Sequence, residues 1–299
     1  LGNRWRKELL MSLRRFLEIT FPDQPAFIKD SWVQGVPLRH LFMAGTIARM
    51  AEAEPERPIR ILEIGSWMGS SCLTWGEALH RFAGGRGHIV CIDPLVPYFD
   101  AEANKAALEA DNAAVQSSQS GLVDEMSALL AEDYVHDILL HNVATIAAPV
   151  TVAVLRQPSS AVLPTLPDAS FDLVYVDGDH TYDAARFDLT QACRLVRDGG
   201  ILCGDDLEAQ LHEIDPDFAR AHTHVDFPTD PATRRQYHPG VTLAVGEILG
   251  SVLAYHGYWL AQRDGSDFID FRLDNLPLMI PSHFPPAIRN ALIAELRGG

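Results

Sequence analysis

Two stretches of this 299-residue chain place carboxylates where they can act together. One is Val176-Asp177-Gly178-Asp179-His180-Thr181-Tyr182, the other Gly204-Asp205-Asp206. Each follows a short apolar run, Phe171–Val176 and Gly200–Cys203, that reads as a β-strand. If the two strands are neighbours, their ends lie about 5 Å apart and Asp177 can meet Asp205 and Asp206 across the gap. Three carboxylates that close raise one another's pKa unless a cation sits among them. Oxygen donors with open positions suit a hard ion such as Mg²⁺, which keeps waters and accepts substrate oxygens. A zinc hydrolase would add histidine ligands, and only His180 is near. The competing reading is that Asp-Gly-Asp and Gly-Asp-Asp are turn formers whose acids are merely solvated.

A third stretch offers a ligand cradle. Strand Ile59–Ile64 runs into Glu63-Ile64-Gly65-Ser66-Trp67-Met68-Gly69-Ser70-Ser71, and a helix is expected over 70–83. The glycines let the backbone turn tightly and approach a ligand, and the helix N-terminus offers free N–H groups. The glycines stand four apart, so this is not the dinucleotide G-x-G-x-x-G pattern. The next strand, Gly87–Ile92, ends at Asp93, an acid placed to accept hydrogen bonds from both hydroxyls of a ribose. NAD sites use an acid there too.

The elements that must hold these residues alternate between strand and helix. Val150–Leu155 is a further strand and 182–197 a helix stopped by Gly199-Gly200. Apolar, β-branched runs without clean alternation predict an α/β fold with a mostly parallel, doubly wound sheet. Ligands of such sheets bind beyond the carboxyl ends of the strands. Helices are expected at 4–19 and 36–53, giving an N-terminal helical extension over 1–56, a main domain over 57–265 and a C-terminal tail over 266–299 packed on it. Residues 101–146 exceed the needs of a crossover and read as a helical insertion broken near Ser117–Gly121. Residues 207–240 lack periodicity and read as a long loop. Within it, His212, His222, His224 and His238 are irregularly spaced and read as surface histidines, and Arg234, Arg235 and Tyr237 as solvated residues. Cys72, Cys91, Cys193 and Cys203 read as small buried hydrophobes, not a disulfide frame.

The E-x-G-x-x-x-G turn followed by an acid at the end of the second strand resembles the S-adenosylmethionine (SAM) site of class I methyltransferases. The resemblance implies that Glu63, Gly65, Ser66, Trp67, Gly69, Ser70 and Ser71 line the methionine end of SAM and that Asp93 holds the ribose. After the third strand, where many relatives carry an acid near the adenine, Pro158 stands at the expected position, and Ser159 or Gln157 would substitute. The run Val-Asp-Gly-Asp-His-Thr-Tyr, a helix, then Gly-Gly-Ile-Leu-Cys-Gly-Asp-Asp resembles the metal-dependent O-methyltransferases related to macrocin and mycinamicin sugar methyltransferases. This implies a Rossmann-like methyltransferase fold, Mg²⁺ or another hard divalent cation on Asp177, Asp205 and Asp206, and His180 as general base, with Asp177 also beside SAM and the reaction centre. A small hydroxylated acceptor such as a sugar, glycoside or catechol-like compound is implied, and by analogy with the family a homo-oligomer.

Composition narrows the alternatives. With 24 Lys+Arg against 40 Asp+Glu the net charge is −16, which opposes nucleic-acid or anionic-membrane binding. A content of 47% hydrophobic and 21% charged residues is globular, not disordered. No apolar run approaches the roughly 20 residues needed to cross a bilayer, and the first residues lack the apolar core of a secretory leader, so a cytoplasmic protein is expected. Two other readings stay open, an NAD-dependent oxidoreductase and a non-catalytic SAM-fold interaction module.

Overall fold

The computed structural model describes residues 13–29, 36–97, 102, 106, 120–131 and 133–298. Eight strands form one sheet: β1 (Ile59–Ile64), β2 (Gly87–Ile92), β3 (Thr151–Leu155), β4 (Phe171–Val176), β5 (Val196–Leu207), β6 (Leu253–Tyr255), β7 (Gly257–Asp264) and β8 (Asp267–Ile269). Their order is β3-β2-β1-β4-β5-β7-β6, with β8 paired to β7. The first five are mutually parallel, and β7 runs antiparallel to β5. The order reverses between β1 and β4, so the switch point lies where the two sequence motifs emerge.

Register explains why the motifs meet. Ile64 pairs with Ile92 and with Val176, Val176 with Gly204, and Ile92 with Leu155. β1, β2, β3 and β4 therefore end on one row, which β5 crosses at Gly204. The residues that follow, Gly65, Asp93, Asp177 and Asp205, leave the same edge side by side.

Helices cover both faces, as the unbroken apolar strands require. Residues 13–20 form α1. Further along lie α2 (Arg39–Ala53), α3 (Ser70–Phe82), α4 (Ser120–Ala131), α5 (Tyr134–Ala144), the short α6 (Ser159–Val162), α7 (Tyr182–Leu195), α8 (Pro216–Ala221), α9 (Pro239–Ile248) and α10 (Pro286–Gly298). On one face Met43 and Ile47 of α2 and Trp75 and Leu79 of α3 pack against Ile61, Leu173 and Ile201. On the other, Leu189 of α7 and Val241 and Val245 of α9 pack against Leu62, Val174 and Leu202. Alternate residues of β1, β4 and β5 thus feed two separate cores. From the end of the chain, Phe284 and Leu292 pack with Leu41.

Two expectations change in detail. The fifth strand is longer than Gly200–Cys203, reaching Leu207, because β7 zips along it past the end of β4. The segment 207–240 is not one loop. It contains a 3₁₀ turn at Leu211–Glu213 and α8, whose N-cap Asp215 accepts from the N–H groups of Asp217 and Phe218. Six residues are too few to show helical periodicity, although Asp-Pro at the start is a helix-opening pair. In the insertion, α4 and α5 supply the expected helices, while the break itself, apart from Ser120 and Gly121, lies outside the described residues. The cysteines are all free, and Cys72, Cys91 and Cys203 are buried. Among the described residues no helix is long and apolar enough to cross a membrane.

Candidate active site at the strand ends

The glycine loop closes tightly onto the end of β4. Gly65 has φ +84°, and a Cβ there would fall 1.8 Å from the carbonyl oxygen of Asp177. No side chain fits, and the loop after β1 consequently rests on the backbone of the first acid motif. Asp93 organises the same loop. Its Oδ2 accepts from the N–H groups of Ser66 (2.8 Å) and Trp67 (2.9 Å), and its Oδ1 from Leu95 (2.8 Å). A carboxylate has about four acceptor sites, so Asp93 retains capacity for a ribose hydroxyl. Gly69, at φ +85°, opens α3, whose first N–H groups face the loop.

Glu63 lies behind the loop with no solvent exposure. Its Oε1 accepts from the Cys72 thiol at 3.0 Å, and its Oε2 is buried without a hydrogen-bond partner. Burial pushes its carboxyl up to about 7, against the pull of the neighbouring Cys72, Ser66 and Ser71 side chains. Ser70 pairs instead with Nε2 of His283 at 3.0 Å. Ser159, expected near adenine, stands instead beside the buried Asp188, whose carboxyl burial raises to about 6. A buried carboxylate, a left-handed glycine turn and a helix N-terminus form a cradle suited to a cationic, amino-acid-like ligand such as the methionine end of SAM.

The acid motifs converge, with a difference. Carboxylate oxygens of Asp177 and Asp206 and a nitrogen of His180 all lie within 4.8 Å of one another. Asp206 adopts φ +63°, and its Oδ2 lies 2.9 Å from His180 Nε2. Asp205 turns the other way, toward Arg39. Nη1 of Arg39 contacts Asp205 Oδ2 and stands 3.5 Å from Asp177 Oδ2. The Tyr175 hydroxyl donates to Asp177 Oδ2 at 3.0 Å, and Trp259 Nε1 donates to the Asp205 carbonyl at 3.1 Å. Asp205 Oδ1 is buried with no protein partner. The Asp177 and Asp206 carboxylates lie close enough to share an ion and fit a hard divalent cation, whereas Asp205, expected as a third ligand, is turned toward Arg39 and stands outside that group.

Sequence reading missed three groups here. His238, expected at the surface, is only 7% exposed, and Tyr237 is fully buried. The His-Pro-Gly run explains this: Pro239 starts α9 and a Cβ on Gly240 would lie 2.2 Å from the His180 carbonyl oxygen. That close approach brings the rings of His180 and His238 to 4.4 Å between centroids. Asp226 Oδ1 lies 3.1 Å from His180 Nδ1 and 3.3 Å from His238 Nε2, and Glu208 Oε2 lies 3.1 Å from His238 Nδ1. Arg234 and Arg235 are exposed as expected.

These contacts set the protonation balance. Burial works against a charge on His180, yet Asp206 and Asp226 outweigh it and raise its pKa well above the usual imidazole value. His238 is likewise raised to about 9, against burial, by Glu208 and Asp206. Burial raises the Asp177 carboxyl with help from Asp206, opposed by Arg39. Burial acts on Asp206 in the same direction, but His180, His238 and Arg39 hold it well below the ordinary range.

Residues 62–207, a segment that spans the glycine loop, Asp93 and all three acids, match the family model described as a methyltransferase domain. A search of curated proteins finds no match. Among solved structures, the chain is similar to a cofactor-bound Rv0187 from MTB (18% identity over 85% of this chain and 95% of that one, TM-score 0.38). It is also similar to the O-methyltransferase TomG of Streptomyces achromogenes, solved with SAM (18% identity, 85% and 96%, TM-score 0.38). A third is CalS11, a TDP-rhamnose 3′-O-methyltransferase of calicheamicin biosynthesis (14% identity, 88% and 95%, TM-score 0.39).

Proposed function

We propose that this chain is a SAM-dependent methyltransferase acting on oxygen, moving the methyl group of SAM to a hydroxyl of a small acceptor such as a sugar, glycoside or catechol-like compound. The observation that carries the reading is the convergence of Asp177, His180 and Asp206 beside the glycine loop that rests on Asp177. An acceptor hydroxyl is a weak nucleophile until it loses its proton, and a positioned imidazole is worth about 10²–10⁴ in rate as general base. His180 is the imidazole at the row of strand ends, and Asp226 on its Nδ1 side fixes its ring.

Asp177 and Asp206 would hold Mg²⁺ or a similar hard divalent ion, with Asp205 joining them when released from Arg39. When bound, such an ion polarises and orients a ligated substrate oxygen. The chain's own residues do the remainder. Glu63 and the turn at Gly65–Gly69 receive the charged methionine end of SAM, Asp93 receives its ribose, and Ser66, Trp67, Ser70 and Ser71 line the cradle. His180 takes the hydroxyl proton as the C–O bond forms and the S–CH₃ bond breaks, leaving S-adenosylhomocysteine (SAH). Holding both reactants in one cleft removes much of the bimolecular entropy.

Calorimetry with SAH and methyl transfer to a hydroxylated library test the reading. We expect SAH binding and an oxygen-methylated product; absence of SAH binding by the pure protein would overturn it. An NAD-dependent oxidoreductase is disfavoured by the wide glycine spacing and the clustered acids.

A further inference from the structure

On the side of Asp206 away from Asp177 lies a second group of metal-capable side chains. Asp206, Glu208 and His238 offer ligand atoms that all fall within 4.8 Å of one another. His238 Nδ1 stands 3.1 Å from Glu208 Oε2 and 3.8 Å from Asp206 Oδ1. Donors bound at about 2.1 Å to one ion sit about 3 Å or a little more from each other. The two oxygens of Asp206 face different ways: Oδ2 toward His180, Oδ1 toward His238.

Two further observations bear on a cation. The outer nitrogen of His238, Nε2, faces Asp226 Oδ1 at 3.3 Å. Metal-bound histidines carry this arrangement, in which a carboxylate takes the distal N–H and fixes the ring with its other nitrogen toward the ion. The second observation is charge. Among the described residues, five carboxylates (Asp177, Asp205, Asp206, Glu208 and Asp226) gather around three groups able to carry positive charge, Arg39, His180 and His238.

We propose that Asp206, Glu208 and His238 form a second divalent-cation site, bridged through Asp206 to the one suggested at Asp177, with Asp226 as the residue that orients His238. The imidazole nitrogen makes this the site for a first-row transition ion such as Mn²⁺, Co²⁺ or Zn²⁺, whereas an oxygen-only set suits Mg²⁺. His180 is left free as base. The inference does not depend on methyl transfer; it rests on the reading of the Asp177 site only for the bridge.

The test is a Mn²⁺ titration of the metal-free full chain, followed by loss of the free-ion electron paramagnetic resonance signal, with pulsed measurements to detect imidazole nitrogen on the bound ion. Wild type should take up two ions per chain, one with nitrogen coupling. His238→Gln and Glu208→Gln should each lose that ion and its nitrogen signal. Asp226→Asn should weaken it about 10–100-fold. Asp177→Asn should keep the nitrogen-coupled ion and lose the other. Circular dichroism and melting of each metal-free variant check folding, and the two independent ligand variants guard against one that misfolds. The proposal is overturned if no bound Mn²⁺ shows nitrogen coupling sensitive to His238→Gln, or if a single ion binds that Asp177→Asn abolishes and Glu208→Gln spares. A single ion lost in His238→Gln but retained in Asp177→Asn sustains the proposal and removes the cation reading at Asp177 instead.

Discussion

Arg39, in the first turn of α2, closes its guanidinium on the carboxylate of Asp205 at the end of β5. The contact joins a residue ahead of the sheet to the acid cluster at its edge, and both side chains are largely buried. Breaking a buried pair by removing one partner costs about 3–5 kcal/mol, because the other charge is left without compensation. Arg39→Met should therefore lower stability by that order near neutral pH, measured by urea denaturation of the metal-free protein. It should also free Asp205 and tighten binding of a divalent cation. Unchanged stability and unchanged cation affinity would contradict the role of this pair.

Glu63 supplies a pH signature. Its folded carboxyl is raised by burial from the ordinary 4.5 to about 7. Between those values the folded state holds a proton that the unfolded state has lost, so stability falls as pH rises through the window. A rise of that size corresponds to about 3 kcal/mol. Glu63→Gln keeps the shape without the ionisation, and its stability should vary less between pH 4.5 and 7 than that of wild type, with the gap widest above pH 7. Parallel stability curves for the two proteins would show that Glu63 does not titrate in this window.

His180 separates chemistry from binding. Replacement by Ala should depress turnover by about 10²–10⁴ while SAH affinity, measured by calorimetry, changes little. Equal turnover would reject His180 as the base. A parallel loss of SAH binding would place it in the cofactor site instead.

Asn142 ties the insertion to the cradle. From α5 its Nδ2 donates to the carbonyls of Met68 (2.7 Å) and Ala26 (3.0 Å), and its Oδ1 accepts from the Ala26 N–H at 2.7 Å. Asn142→Ala strands these groups at a cost of about 1–3 kcal/mol for each one left buried and unpaired. The expected outcome is lower thermal stability and weaker SAH binding together. If only stability falls, the insertion supports the fold without shaping the cofactor loop.

How much of this was legible in the residues follows from what each signal depends on. The five parallel strands were readable because each is a compact apolar run, and their shared register is why Gly65, Asp93, Asp177 and Asp205 leave one edge. Asp177 and Asp206 were readable because their motifs directly follow compact apolar runs, although β5 continues through Asp206 to Leu207. The orientation of Asp205 was not, since its partner Arg39 lies far away in sequence on a helix with no motif. His238 and Asp226 were hidden for the same reason: they reach His180 only because α9 packs closely against residues 180–182 at Gly240. The short α8 was missed because one and a half turns give no period.

Methyl transfer itself tests the central claim most directly. The purified chain would be incubated with SAM labelled in its methyl group and a library of sugars, glycosides and catechols, with Mg²⁺ or with excess EDTA. The account predicts label on an acceptor oxygen, formation of SAH in equal amount, and loss of both in EDTA. Labelled product formed at full rate in EDTA by an Asp177→Asn/Asp206→Asn variant would contradict the metal reading, and absence of any SAM turnover together with absence of SAH binding would contradict the whole.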